Sequence, residues 1–281
     1  MPKLKNGGLF FHKSFVEDSS ISSIPYFCAL FFMSQLKPSL FTSLSPALLH
    51  LYRVNHAVVV IIDVLRATST IATALYNGAK CVVPVDNIPR CIELGKAIDS
   101  ITAGERDGQI AEGLQYGNSP FEYPREFVAG KTLVLTTTNG TKLLHMALEN
   151  GASHIVTGSF PNLSAVCDYL VSINLPVILA CAAWKDRINL EDTLFAGAVV
   201  SKVKDHFNIN CDSSQIAETM YHEAKSDMFE FLKKKEASHY HRLMNYGLET
   251  DLRYCLTPDL ANVLPFYENG KLAIHGSTLT R

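Results

Sequence analysis

The loop after the first strongly apolar run carries acidic, basic and hydroxyl side chains suited to binding an anion and a cation. Asp63 ends a β-branched run, Arg66 follows three residues later, and Thr68 and Ser69 begin a predicted helix. Arginine can donate two hydrogen bonds to one anion, and a helix start offers free N–H groups. Asp63 can hold a hard cation through oxygen. The alternative is a structural loop, in which the hydroxyls cap the helix and Arg66 pairs with Asp63.

A second loop is dense in small hydrogen-bond donors and has no carboxylate. Its glycine permits close backbone approach and an unusual dihedral ahead of a helix. We predict an anion-binding loop, although an ordinary Asn-Gly turn with a threonine cap has the same sequence. The candidate residues are Thr136, Thr137, Thr138, Asn139, Gly140 and Thr141.

Between these loops lies a glycine-rich segment, residues 104–120, with few apolar side chains. Long loops inside compact domains are usually functional, and the alternative is a solvated surface loop. Glu105 and Arg106 repeat the pairing of a carboxylate with a guanidinium, and Asn118 and Ser119 add neutral donors. We predict that this segment contributes to the same site.

Two adjacent acids, Glu191 and Asp192, begin a further predicted helix over residues 190–203. Paired acids there could ligate magnesium, but acids in a first helical turn also stabilise the helix dipole without any function. Cys181 ends the preceding apolar run and is a candidate nucleophile. Buried cysteines are usually inert, so this role is an alternative and not our main prediction.

An internal duplication positions these loops. A strand at 58–62, a helix at 70–77 and a strand at 81–85 recur at an offset of 73 residues, each helix followed by a glycine. We predict duplicated β-α-β units over about 58–87 and 131–160, with a looser third copy from residue 177. The fold class expected is a three-layer α/β/α with a largely parallel or mixed sheet. Ligands bind outside the carboxyl ends of parallel strands, so we expect the loops to meet at one edge.

The composition of the chain limits the functions and locations that it can have. The 281 residues are 47% hydrophobic, and the net charge of -2 provides no basic surface for nucleic acid. Seven scattered cysteines without a CxxC pair indicate reduced thiols and a cytoplasmic protein. Residues 1–42 differ from the remainder and are predicted to be an extension ahead of one domain at 43–281. The apolar run at 24–33 is too short to span a bilayer, so no membrane association is expected.

The C-terminal third is less informative. Residues 216–242 are predicted to be helical and charged. His239 and His241 are two residues apart and would point to different sides of a helix, so they are not assigned as metal ligands.

Four segments resemble, in order and spacing, the motifs of the 2-phosphosulfolactate phosphatase family. They read VVVIIDVLRATSTIATAL, GERDGQIAEGLQYGNSP, LVLTTTNGT and LEDTLFAGA. The flanking segments SLSPALLH and DLRYCLTPDLANVLPFYENGKL are also similar, so the resemblance covers residues 43–272.

This resemblance implies magnesium-dependent hydrolysis of 2-phospho-3-sulfolactate to 3-sulfolactate and phosphate, as in coenzyme M synthesis. A small anionic phosphate ester is therefore the expected partner, and a homodimer is possible. Arg106 is expected to hold the sulfonate. We assign catalytic roles to Asp63, Arg66, Glu105 and Asp192, metal binding to Asp63, Glu105, Glu191 and Asp192, and substrate binding to Thr68, Ser69, Arg106, Asn118, Ser119 and residues 136–141.

The attacking group is left open between water and Asp63. Phosphatases of the haloacid dehalogenase type carry a second aspartate two residues after the first, and Leu65 stands there in this chain. Two other functions remain as alternatives. One is an isochorismatase-like cysteine hydrolase that uses Cys181, and the other is a non-catalytic anion-binding protein.

Overall fold

The computed structural model describes residues 37–106, 109–137 and 139–276. Most of the predicted extension therefore lies outside the described residues, and strand β1 begins three residues ahead of the predicted boundary at 43. The strands in these ranges are β1 (Leu40–Ser43), β2 (Val58–Ile62), β3 (Cys81–Val85), β4 (Ile101–Arg106), β5 (Gln109–Ile110), β6 (Thr132–Thr136), β7 (His154–Gly158), β8 (Val177–Cys181), β9 (Pro265–Glu268) and β10 (Lys271–Ile274).

Helices connect most of these strands and cover both faces of the sheet. They are α1 (Ala67–Tyr76), α2 (Ile88–Ala97), α3 (Arg125–Val128), α4 (Gly140–Glu149), α5 (Leu163–Ile173), α6 (Leu190–Val203), α7 (Asp212–Ala224), α8 (Met228–Lys234), α9 (Ser238–Asn245) and α10 (Glu249–Cys255), together with short 3-10 turns at Pro46–Leu51, Pro120–Glu122, Phe160–Asn162 and Lys204–His206.

The predicted α/β fold and its mixed sheet are confirmed. The ten described strands form one sheet in the order β1-β8-β2-β7-β9-β10-β3-β6-β4-β5. Strand β2 is buried along its whole length because it packs helices on both faces, which explains its unbroken apolar sequence.

The two copies of the repeat pair reciprocally. The first strand of copy one, β2, is parallel to the second strand of copy two, β7, with Val58 opposite His154. The second strand of copy one, β3, is parallel to the first strand of copy two, β6, with Cys81 opposite Thr132. Each copy therefore has one strand in each half of the sheet.

The expectation that every strand ends at one edge is wrong. The β9–β10 hairpin separates the two parallel blocks, and the pairings β7–β9, β9–β10 and β10–β3 are all antiparallel. Three reversals leave the block with β2 and the block with β3 running in opposite directions along the sheet. The hairpin comes from the end of the chain, so the repeat alone does not reveal this reversal.

Helices α1 and α4 cross between the blocks. Helix α1 follows β2 but buries Leu75 among side chains of β3, β4 and β6. Helix α4 follows β6 but buries Leu143 among side chains of β2, β7 and β8. The loops at the starts of these two helices consequently face each other, although their strands belong to different blocks.

Residues 216–242, which were predicted to be helical, belong to the three helices α7, α8 and α9, and two local signals set the bounds of α8. The side chain of Asp227 accepts a hydrogen bond from the N–H of Glu230 and starts α8. Glu236 has a φ of 50°, in the left-handed region, and ends that helix. The separate helix α9 results.

Two further observations concern the described residues as a whole. Within the described ranges, none of the helices has the length and apolar character needed to cross a bilayer. The six cysteines in these ranges are all free thiols, and five of them are buried.

Candidate active site

Five of the residues predicted for the site line one pocket, which has an empty volume of about 650 Å³. They come from both copies of the repeat and from the segment between them. The first loop contributes Asp63 and Arg66, the intervening segment Glu105 and Asn118, and the second loop Asn139. The crossing of α1 and α4 brings these loops together.

Asp63 connects the two repeats directly. Its carboxylate accepts a hydrogen bond from the backbone N–H of Gly140, the first residue of α4. A Cβ atom at position 140 would lie 3.3 Å from Asp63 Oδ2, so glycine suits this close approach. The predicted unusual dihedral is wrong, because Gly140 is helical and does not have a positive φ.

Burial, together with the charges of Glu105 and Glu191, raises the pKa of Asp63 to about 7, against the opposing effects of His239 and the Gly140 N–H. Desolvation and like charges both disfavour an ionised carboxylate. A bound divalent cation would reduce the repulsion among these carboxylates.

The four predicted metal ligands do not all converge. Among the described residues, no three His, Cys, Asp or Glu side chains form a cluster that could hold an ion. Asp192 uses Oδ1 to accept from Val64 N–H at 2.9 Å and Oδ2 to accept from Ala183 N–H at 3.1 Å. It therefore joins the loops after β2 and β8. Burial, followed by Glu191 and Asp63, raises the pKa of Asp192.

Glu191 is also engaged elsewhere. Its Oε1 lies 2.6 Å from Nδ1 of His239, and the carboxylate is buried. Asp63 and Glu105 remain as the two carboxylates that line the pocket. Magnesium commonly binds one or two carboxylates together with substrate phosphates, so this pair fits the ion without further protein ligands.

Arg66 is held by a partner that the sequence did not suggest. Its Nη1 forms a buried salt bridge with Oδ2 of Asp251 in α10, and not with Asp63. Carboxylate partners fix a guanidinium in one orientation. Asp251 therefore positions Arg66 in the pocket wall, where it can meet an anionic group.

The hydroxyls predicted to bind substrate at the start of α1 bond to the backbone instead. Thr68 Oγ1 donates to the carbonyl of Gly158 at 2.8 Å and accepts from the N–H of Asp63. Ser69 Oγ donates to the carbonyl of Val64 at 2.8 Å. Short hydroxyl side chains readily reach nearby backbone groups, so these two residues shape the loop.

The second loop is similar. Thr137 and Thr141 share a hydrogen bond 3.4 Å long, and Thr136 accepts one from Arg106 Nη2 at the same distance. Arg106 also donates to the carbonyl of Glu105. None of these four residues belongs to the pocket lining. Thr138 lies outside the described residues.

In the intervening segment, Asn118 and Ser119 have different environments. Asn118 is buried in the pocket wall, and its Oδ1 has no hydrogen-bond partner among the described residues. Buried polar atoms are normally satisfied, so we expect a ligand or water there. Ser119 accepts a hydrogen bond from Phe121 N–H and caps the 3-10 turn at Pro120–Glu122.

The candidate nucleophile Cys181 is fully buried and is not part of the pocket lining. Burial raises the pKa of its thiol well above the ordinary value, and the nearby Asp192 and Glu191 raise it further. The thiolate is the reactive form, so this cysteine is unsuited to nucleophilic attack at neutral pH.

Sequence analysis did not assign several residues of the pocket wall. Helix α9 and its end contribute His239, Arg242, Leu243 and Tyr246. Their spacing of i, i+3, i+4 and i+7 is that of one helical face, and this was the available signal. Because Glu191 engages Nδ1 of His239, the ring offers Nε2 as its remaining polar atom.

The loop after β8 contributes Trp184 and Lys185 to the same pocket. Trp184 and Arg187 exchange backbone hydrogen bonds of 2.9 and 3.0 Å around a two-residue turn. The two central residues, Lys185 and Asp186, both have positive φ values, 51° and 62°. These dihedrals are typical of a type I′ hairpin turn.

Comparison with known proteins identifies the family of this chain. The profile of the 2-phosphosulpholactate phosphatase family matches residues 43–270. A Thermotoga maritima protein named "Probable 2-phosphosulfolactate phosphatase" is 43% identical over 211 residues, which are 75% of this chain and 89% of the relative. A protein of the same name from Clostridium acetobutylicum is 37% identical over 226 residues, 78% of this chain and 93% of the relative.

The relatives are named as phosphatases of a phosphate monoester, and the chain is accordingly a phosphoric monoester hydrolase with a mixed α/β sheet. It belongs to the 2-phosphosulpholactate phosphatase family. The matched residues include the whole pocket lining, from Asp63 to Tyr246.

Replacement of Asp251 by asparagine tests the positioning of Arg66. The variant removes the carboxylate partner of a buried guanidinium, which typically costs about 3–5 kcal/mol of stability. We expect a lower free energy of unfolding in urea and a loss of phosphatase activity. Asp205→Asn is the matched control, because Asp205 is exposed. Equal behaviour of the two variants would contradict the role given to Asp251.

Replacement of Asp63 by asparagine tests the crowding of carboxylates. The native pKa of about 7 lies above the ordinary 3.8. The stability that protonated Asp63 contributes is therefore complete below about pH 4 and is lost as the pH rises through 7. In the presence of a metal chelator, we expect Asp63→Asn to melt at a higher temperature than wild type at pH 8. At pH 5 the difference between the two melting temperatures should be smaller. A difference in melting temperature that does not change with pH would show that ionisation of Asp63 does not destabilise the protein.

Proposed function

We propose that this chain catalyses magnesium-dependent hydrolysis of 2-phospho-3-sulfolactate to 3-sulfolactate and phosphate. The observation that carries the proposal is the pairing of Asp63 and Glu105 with Arg66 in one pocket of a family-matched domain. The names of the relatives support the substrate. A cytoplasmic location, a role in coenzyme M synthesis and a homodimer stay predictions.

In this proposal Asp63 and Glu105 hold the magnesium ion. When bound, the ion neutralises charge on the phosphate oxygens. Burial and the charge of Glu105 disfavour ionised Asp63, so Asp63 would bind the ion in a carboxylate form that depends on a neighbouring positive charge. Glu191 and Asp192 support the site through His239 and through the backbone of the neighbouring loops.

Arg66 binds equatorial oxygens of the transferring phosphoryl group. Its charge is permanent, and Asp251 fixes its orientation, which are the requirements for stabilising a phosphoryl transition state. Asn118 contributes its unsatisfied Oδ1 as an acceptor for a water molecule near the ester. These groups bind and orient the ester without changing their own covalent state.

His239 serves the leaving group. Hydrolysis breaks the bond between phosphorus and the ester oxygen, water supplies the new oxygen on phosphorus, and the ester oxygen receives a proton. Glu191 Oε1 lies 2.6 Å from Nδ1 of His239 and accepts the hydrogen of that nitrogen. When Nε2 also carries a hydrogen, it donates this proton to the ester oxygen, and the proton released by the attacking water replaces it. An imidazole oriented by a buried carboxylate is a common arrangement for proton transfer.

The reaction is tested by phosphate release from 2-phospho-3-sulfolactate, 2-phospholactate and phosphoglycerate, with and without magnesium. We expect release that needs magnesium and is fastest with the sulfonated ester. Asp63→Asn and Glu105→Gln should each lower kcat/KM by at least about 100-fold, since the lost interactions act on developing charge. Asp205→Asn should retain the wild-type rate.

Metal binding is measured separately by calorimetric titration of magnesium into chelator-treated protein. Binding by wild type and its loss in both carboxylate variants would support the ligand assignment. A folded wild-type protein that releases no phosphate from any of the three esters would overturn the proposed reaction.

Cys181→Ser separates this function from a cysteine hydrolase. The buried thiol lies outside the pocket lining, so we expect the variant to keep phosphatase activity within about threefold of wild type, a difference below 1 kcal/mol. Loss of activity in a variant whose melting temperature is unchanged would instead favour the thiol as a nucleophile.

A further inference from the structure

Two cations lie against the same indole ring in the pocket wall. Lys185 Nζ is 4.5 Å from the centroid of Trp184, and Arg242 Cζ is 4.0 Å from it. Each contact with the ring is favourable, and together they place two positive charges at one side chain of the pocket wall. An anionic group bound beside this ring would be attracted by both charges.

The backbone that presents Trp184 and Lys185 is strained. Ala183, Lys185 and Asp186 have φ values of 57°, 51° and 62°, a region that non-glycine residues rarely adopt. Such strain persists only where surrounding contacts enforce it, and it is concentrated at functional sites. It indicates that this turn has a role beyond connecting β8 to α6.

Several contacts hold the turn in place. The Asp186 carboxylate forms an ion pair with Lys142 of α4 at 2.7 Å, and its carbonyl accepts from Ser45 Oγ at 2.8 Å. The N–H of Ala183 donates to Asp192 at 3.1 Å. The turn is thus fixed to α4, to the chain after β1 and to α6, which makes it a preformed binding surface.

Charge is divided across the pocket. Asp63 lies in the loop ahead of α1 and Glu105 near the end of β4, whereas Lys185 and Arg242 contact the ring of Trp184. A substrate with two anionic groups matches this division if its phosphate lies by Arg66 and the metal ligands. The other group would then meet the cations at Trp184.

We propose that Lys185 and Arg242, arranged on Trp184, bind the sulfonate of the substrate and determine specificity for it. This inference rests on the proposed function. A sulfonate keeps its negative charge at all physiological pH values and offers three acceptor oxygens, which suit a guanidinium and an ammonium together. Arg106, the residue first expected to bind it, is not part of the pocket lining and donates to the backbone carbonyl of Glu105 and to Thr136.

Kinetics on two esters test the assignment. The substrate 2-phospholactate lacks the sulfonate but keeps the phosphate and carboxylate of 2-phospho-3-sulfolactate. We expect Lys185→Gln and Arg242→Gln to lower kcat/KM for the sulfonated ester by about tenfold or more, and for 2-phospholactate by less than about twofold. Lys233→Gln removes the same charge from an exposed residue outside the pocket and should change neither value.

The fluorescence of Trp184 provides a readout that does not depend on turnover, because it is the only tryptophan in the chain. Titration with 3-sulfolactate should give a saturable change in wild type that lactate does not give. The change should require about tenfold more ligand in either variant. Lys185 is exposed, so its variant is expected to fold normally even if Arg242→Gln does not.

The possible outcomes separate the two proposals. Equal losses on both esters would overturn the sulfonate assignment while leaving the phosphatase function intact, since the cations would then serve the carboxylate. If no ester is hydrolysed, the proposed reaction fails. The fluorescence titration still decides the subsite in that case, because binding of 3-sulfolactate that is weakened in both variants supports it and unchanged binding overturns it.

Discussion

The reciprocal pairing of β2 with β7 and of β3 with β6 is the constraint on which the site depends. It forces α1 and α4 to cross from one half of the sheet to the other. Because the helices cross, the residue after β2 and the first residue of α4 come within hydrogen-bonding distance. A conventional crossover within each copy would have left Asp63 and Gly140 in separate halves.

The site collects ionisable groups whose burial is costly, and it provides a specific partner for most of them. Arg66 has Asp251, Glu191 has His239, and Asp192 accepts two backbone N–H groups. Buried polar groups are tolerated when they are paired in this way. The carboxylate of Asp63 is the exception, because one N–H does not compensate its burial beside other acids. The least compensated group is therefore one that lines the pocket.

Sequence patterns predicted the local elements well and the long-range arrangement less well. The apolar runs at Val58–Ile62 and Val177–Cys181 are strands with the predicted bounds, because short β-branched runs can hardly form anything else. The direction of the two sheet halves was missed, since it is set by the distant β9–β10 hairpin. Chain order contains no information about which strand a hairpin will pair with.

For the site, charged residues were predicted better than hydroxyls. Asp63, Arg66 and Glu105 were predicted for the site, and they line the pocket. The prediction succeeded for them because a charged residue at the end of a strand has few structural uses. Thr68 and Ser69 satisfy the backbone, a role that their sequence could equally serve. His239 and Trp184 belong to elements outside the repeat. Their helical and turn geometry becomes informative only when the fold brings those elements to the pocket.

The interlocked repeats also have a consequence for how the chain acquires its native state. Each half of the sheet contains one strand from each copy of the repeat, so neither half can form its core until both copies are present. The contacts that define the fold are remote along the chain, and closing large loops before any gain in burial makes folding slow. Folding of the sheet therefore also assembles the pocket lining, because residues of that lining come from both copies of the repeat.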